Sequence, residues 1–182
     1  MESETIAAIA TPPGVGALGI LRLSGPSARE VAARFLRAGG EGLSPRRAVV
    51  CRADSDGSPL DQVVVVYYPG PATSTGEELV EITAHGSAFI LGRLLAAALS
   101  SGARAALPGE FTQRAFLNGR LDLSQAEAVC DLIRARTGRA HRAALDQLEG
   151  GLSREVRGIA GSLTEFLARV EAAARTAGFR VE

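Results

Sequence analysis

The sequence predicts an α+β fold over residues 1–120, followed by purely helical chain from 121 to 182. Three observations predict it. Short apolar runs flanked by glycine and proline alternate with helical spacing up to residue 120. From 121 onward the apolar residues step only by three or four. A helix-start signal at Ser124–Glu127 opens that later part.

Ile6–Ala10 is a short apolar run that stops at Pro12-Pro13-Gly14, a turn signal. Ala17–Leu23 (ALGILRL) reads as a strand ending at Ser24-Gly25, and Pro26 suits the first turn of a helix. Val31, Phe35 and Leu36 give that helix an apolar side, and Gly39-Gly40 is expected to end it. Ala48–Cys51 and Val63–Tyr67 read as strands, the second apolar throughout and so expected to be buried on both faces. Asp54–Pro59 between them is a turn. Leu79–Ala84 alternates, with Leu79, Glu81 and Thr83 on one face and Val80, Ile82 and Ala84 on the other. Phe89–Leu99 reads as a helix.

Ser124-Gln125-Ala126-Glu127 matches a capping box. Ala126, Val129, Cys130 and Ile133 continue at helical spacing. Leu145, Leu148, Leu152, Val156, Ile159, Leu163, Phe166 and Val170 then form an apolar stripe of about seven turns, with a kink expected at Gly150-Gly151. A stripe this long needs another helix to cover it.

Composition excludes several functions. The 20 basic and 20 acidic residues cancel, so strong bulk attraction to nucleic acid or an anionic membrane is not expected. Every basic residue is arginine, which rules out a P-loop lysine or a Schiff base within this chain. Cys51, Cys130, His85 and His141 lack zinc-ligand spacing, and a reduced, cytoplasmic compartment is expected. No apolar run reaches the roughly 18 residues of a membrane span, and the start has no signal-peptide pattern.

Gly14-Val15-Gly16-Ala17-Leu18-Gly19 spells G-x-G-x-x-G, but the next segment is strand-like, whereas a dinucleotide site needs a helix there. Two readings stay open: a glycine-rich turn between strands, or a turn that lets backbone approach a flat ligand. Arg134, Arg136, Arg139 and Arg142 form a modest basic cluster, read as a solvated helix face rather than a nucleic-acid contact.

Three charged residues are candidates for chemistry. Arg22 lies inside a strand with Leu18 and Ile20 on its face, and Glu81 lies inside another. A charge buried alone is costly, so each needs a partner. Arg120 sits in Leu117–Asp122, where the mixed region hands over to helix. Either Arg22 and Glu81 pair with each other or reach solvent, or they serve a ligand. A carboxylate accepts from ring N–H groups and an arginine holds a carboxylate in two places, so the ligand would carry both. His85 reads as structural, and no catalytic triad is readable.

Three blocks carry a resemblance. Thr5–Gly25 (TIAAIATPPGVGALGILRLSG), Pro69–Gly86 with its TGEE and HG elements, and Pro108–Ile133 (PGEFTQRAFLNGRLDLSQAEAVCDLI) resemble, in order, the front of the MnmE/TrmE family of tRNA-modification GTPases. The resemblance implies a domain over 1–120 similar to the tetrahydrofolate-binding domain of the glycine-cleavage T-protein group. That domain would bind 5-formyl- or 5,10-methylene-tetrahydrofolate and form a homodimer. Residues 121–182 would be the first helices of an incomplete helical domain. The family's folate contacts fall on Arg22, Glu81 and Arg120. It further implies work with the flavoprotein MnmG (GidA) on the wobble uridine of tRNA, with no membrane. GTP, Mg2+ and K+ would belong to the full-length family protein only. The family runs from its VEAA segment towards a P-loop, whereas Ala174–Glu182 here reads ARTAGFRVE, so no GTP hydrolysis is expected from this chain. A ligand-free dimer scaffold and a stand-alone folate-dependent one-carbon transferase are the alternatives.

Overall fold

A computed structural model describes residues 4–38, 42–55 and 57–177. Gly39-Gly40, Asp56 of the expected turn and the last five residues of the tail lie outside these. The chain divides into two units, Met1–Arg120 and Leu121–Glu182.

The first unit is built on a seven-stranded sheet. Its strands are β1 (Ile6–Ile9), β2 (Leu18–Ser24), β3 (Leu36–Ala38), β4 (Ala48–Ser55), β5 (Ser58–Tyr68), β6 (Leu79–His85) and β7 (Arg104–Ala105), in the order β3-β4-β5-β6-β2-β1-β7. Every pairing is antiparallel except β1 with β7. Helices α1 (Ala28–Phe35), α2 (Ala88–Ser100) and α3 (Glu110–Leu117) complete the unit. The first helix ends at Phe35, before the glycine pair, because Leu36 turns extended and pairs with β4.

One sheet face is the core. Leu21, Leu23, Val63, Val65, Val80, Ile82, Cys51 and Ala53 point inward and meet Val31, Ala32 and Phe35 of α1 and Leu91, Leu94 and Ala98 of α2. The period-2 alternation of each strand sends the intervening residues to the other face. There Leu18, Val50 and Val64 are exposed and Ile20, Val66 and Thr83 half-buried. This corrects the expectation that Val63–Tyr67 is buried on both faces. Val64 is 40% exposed, because the helices α1 and α2 cover only the face of Val63, Val65 and Tyr67.

The second unit consists of α4 (Leu123–Arg134), α5 (Gly138–Leu148) and α6 (Gly151–Thr176). Two expectations are corrected here. The box that caps α4 is Asp122 with Gln125, not Ser124 with Glu127: Asp122 Oδ1 accepts from the Gln125 N–H, and Gln125 Oε1 accepts from the Asp122 N–H, both at 2.9 Å. The helix starts two residues earlier than the serine signal implied, and Ser124 falls inside its first turn. The second correction concerns the glycine pair. It breaks the helix rather than kinking it, with Gly150 in the left-handed region at φ 82°, which divides the stripe between α5 and α6.

Candidate functional site

The antiparallel register of β2 with β6 sets Arg22 opposite Glu81. Both lie on the open sheet face, with side chains 32% and 25% exposed. Arg22 Nε and Nη2 both donate to Glu81 Oε1, at 3.0 and 2.6 Å. Glu81 Oε2 and Arg22 Nη1 take no hydrogen bond among the described residues. The pair is therefore neutralised but not saturated. The Phe111 ring of α3 lies against the guanidinium, 5.8 Å from its Cζ.

Arg120 follows α3 and is exposed. Its N–H donates to the Ala115 carbonyl at 2.8 Å, and its stem runs beside Gly76. The structure thus joins Arg22 and Glu81 directly, whereas Arg120 bonds to neither and lies along the Thr75–Glu77 turn that leads into β6.

Sequence reasoning missed the polar network that holds this turn. Buried Ser24 Oγ lies 2.7 Å from Thr75 Oγ1 and donates to Glu77 Oε2 at 3.0 Å. Arg114 Nη1 donates to the same Glu77 oxygen at 2.8 Å, and Arg114 Nη2 to Glu110 Oε1 at 3.0 Å. Asn118 Nδ2 donates to the Thr75 carbonyl at 2.7 Å. Arg104 grips both oxygens of Glu110 at 2.7 and 3.0 Å. The paired N–H groups of Arg104 hold the Glu110 carboxyl at about 2, helped by the Leu107 N–H and by Arg114 and opposed by burial. The signal was present: Glu110 and Arg114 are four apart on a helix.

A second pair sits at the far end of the open face. Asp61 Oδ1 lies 2.8 Å from His85 Nδ1, and Asp61 Oδ2 accepts from the His85 N–H at 3.0 Å. That orients an exposed imidazole beside the Gly14–Gly19 turn, where the Gly16 N–H donates to the Gly86 carbonyl at 3.0 Å. The turn joins β1 to β2, and a strand rather than a helix follows it, so it is no dinucleotide loop.

Among the described residues no group of three His, Cys, Asp or Glu could hold a metal ion, and no helix is long and apolar enough to cross a membrane.

A seven-stranded sheet with an unsaturated ion pair on its free face, and a separate helical unit after it, define a two-unit α+β protein. Residues 5–120 match a family described as the GTP-binding protein TrmE N-terminus, and residues 123–174 match the MnmE helical domain. The chain belongs to the TrmE/MnmE family. It is 52% identical over 170 residues to the "tRNA modification GTPase MnmE" of Opitutus terrae, 93% of this chain and 37% of that protein. The proteins of the same description from Listeria welshimeri and Aquifex aeolicus are each 48% identical, over 94% and 93% of this chain and 38% of their own lengths. The chain thus spans less than two-fifths of these relatives.

Proposed function

We propose that this chain is the folate-binding and dimer-forming part of a tRNA-modification GTPase, with a fold related to the tetrahydrofolate-binding domain of the glycine-cleavage T-protein group. The observation that carries this reading is the Arg22–Glu81 pair, which keeps one free carboxylate oxygen and one free guanidinium nitrogen on an open apolar face. A pterin is flat, offers ring N–H donors and bears carboxylates on its glutamate tail. Glu81 Oε2 would accept from the ring, Ile20, Val64 and Val66 would bear its face, and Arg120 would hold a tail carboxylate. A bound 5-formyl- or 5,10-methylene-tetrahydrofolate would supply the one-carbon unit for wobble uridine. The same uncovered face would be closed by a second copy of the chain. GTP hydrolysis with Mg2+ and K+, the MnmG (GidA) partner, tRNA and a cytoplasmic location belong to this proposal for the whole protein.

Titration calorimetry with 5-formyltetrahydrofolate tests it. The wild-type protein is expected to bind, and Glu81→Ala and Arg22→Ala to weaken binding at least about tenfold, the cost of a lost charged hydrogen bond. A folded wild-type sample without binding refutes the folate reading.

A second reading has its own support. Arg22 and Glu81 already neutralise each other's charge, as a scaffold without ligand requires. That reading expects dimer formation by sedimentation and no folate-induced rise in Tm.

A further inference from the structure

We infer that Arg114 is a positioning residue: it acts through Glu77 and the Thr75–Glu77 turn to fix Arg120 at the candidate site. The inference rests on the ligand reading above for its functional arm only.

The argument starts from α3. Phe111, Arg114 and Asn118 are spaced three and four apart, so one helix face presents all three. Phe111 meets Arg22, Arg114 meets Glu77, and Asn118 meets the Thr75 carbonyl. Each contact reaches a different part of the candidate site, and Arg120 leaves the end of the same helix. Arg114 is the central contact. Its side chain is 11% exposed, and its guanidinium bridges Glu77 and Glu110, so neither carboxylate is left to water alone. Glu110 is anchored in turn by Arg104 and the Leu107 N–H. Glu77 Oε2 also accepts from Ser24, the residue two along from Arg22 on β2.

The turn held in this way shapes the ground under Arg120. Gly76 has φ 80°, and a Cβ there would lie 2.8 Å from Asn118 Cβ and 3.3 Å from Arg120 Cγ. The backbone of the turn therefore packs directly on the Arg120 stem with no side chain between. Releasing Glu77 from Arg114 loosens the turn, which Ser24 and Asn118 still hold, and with it the surface that limits where the Arg120 guanidinium points. Arg114 bonds to Glu77 and Glu110, and Glu77 belongs to the turn that packs under Arg120, so the effect of Arg114 on a ligand is expected to pass mainly through Arg120.

Two measurements test this. In the first, hydrogen exchange is compared for wild type, Arg114→Gln and a stability control in α1, Val31→Ala. Arg114→Gln is expected to speed amide exchange at residues 74–78 and 118–121 by about tenfold, with β5 and β6 unchanged, as for local opening. An even rise across the unit, matching the control, or no rise in that window overturns the inference. The second is a double-mutant cycle on the Kd for 5-formyltetrahydrofolate. Arg114→Gln is expected to weaken binding about tenfold alone and less than about twofold in an Arg120→Ala background. Gly76→Ala should behave likewise. Additive effects overturn the inference. If the wild-type protein binds no folate, the ligand reading fails and the exchange experiment alone decides.

Discussion

Leu91 of α2 rests on Gly19 of β2: a Cβ at Gly19 would lie 2.5 Å from Leu91 Cδ1 and 2.9 Å from Cδ2. The last glycine of the G-x-G-x-x-G run therefore serves helix-on-sheet packing. Leu91 is buried, so clearing a Cβ would push its side chain against packed neighbours. Gly19→Ala is expected to cost about 1–3 kcal/mol in denaturant unfolding, as overpacking does. Shortening Leu91 to Ala in the same chain should recover part of that cost, leaving the pair less destabilised than the sum by about 1 kcal/mol. Strict additivity would show that the two do not press on each other.

Asp122 and Ser124 make opposite predictions. Asp122 caps α4, and its second oxygen accepts from Ser153 Oγ of α6 at 2.6 Å. Asp122→Ala should cost about 1–2 kcal/mol, as N-cap losses do. Ser124 Oγ is buried with no partner among the described residues. Ser124→Ala should be neutral or stabilising, because it removes an unsatisfied hydroxyl. Thermal melts of the two variants decide which residue is the cap.

The caps also show what the sequence could and could not convey. Both Asp122 with Gln125 and Ser124 with Glu127 fit the box pattern, and only backbone geometry chooses between them. The alternation of Leu79–Ala84 was legible because one face is covered and the other is not. The run Val63–Tyr67 was misleading because valine is also tolerated on a free face, and nothing local reveals where the helices stop. Arg22 and Glu81 stood out as charges inside apolar strands, but their register, which makes them partners, is a long-range fact. Arg114 and Glu77 did not stand out at all. Each lies in a polar stretch, and their meaning comes from a contact 37 residues apart.

The outer stripe of α6 predicts a tolerant surface. Ile159, Leu163 and Phe166 are 62%, 62% and 66% exposed. Changing any of them to Gln should alter the unfolding free energy of this chain by no more than about 0.5 kcal/mol, as surface substitutions do. The same changes should lower binding of an apolar fluorescent dye, because the stripe is a contiguous exposed patch. A large loss of stability would show that these side chains are covered in solution.

The Arg104–Glu110–Arg114 chain predicts how stability responds to acid. Glu110 titrates at about 2 in the folded protein, against about 4.3 in an unfolded chain. The unfolded state therefore binds a proton first as pH falls. The stabilisation from this carboxylate is fully present above roughly pH 4.3 and is lost between there and pH 2. Asp54, Asp61 and Asp122 are also held below their ordinary values, so wild-type unfolding alone does not isolate the effect. The useful quantity is the difference between wild type and Glu110→Gln. Glutamine keeps the shape but removes the charge that Arg104 and Arg114 share. The variant should be less stable at pH 7, and the gap should narrow as pH falls from 4.5 to 2. Denaturant midpoints across that range measure it. A gap that stays constant with pH would mean that Glu110 contributes through packing alone, and that the arginines gripping it are not held by its charge.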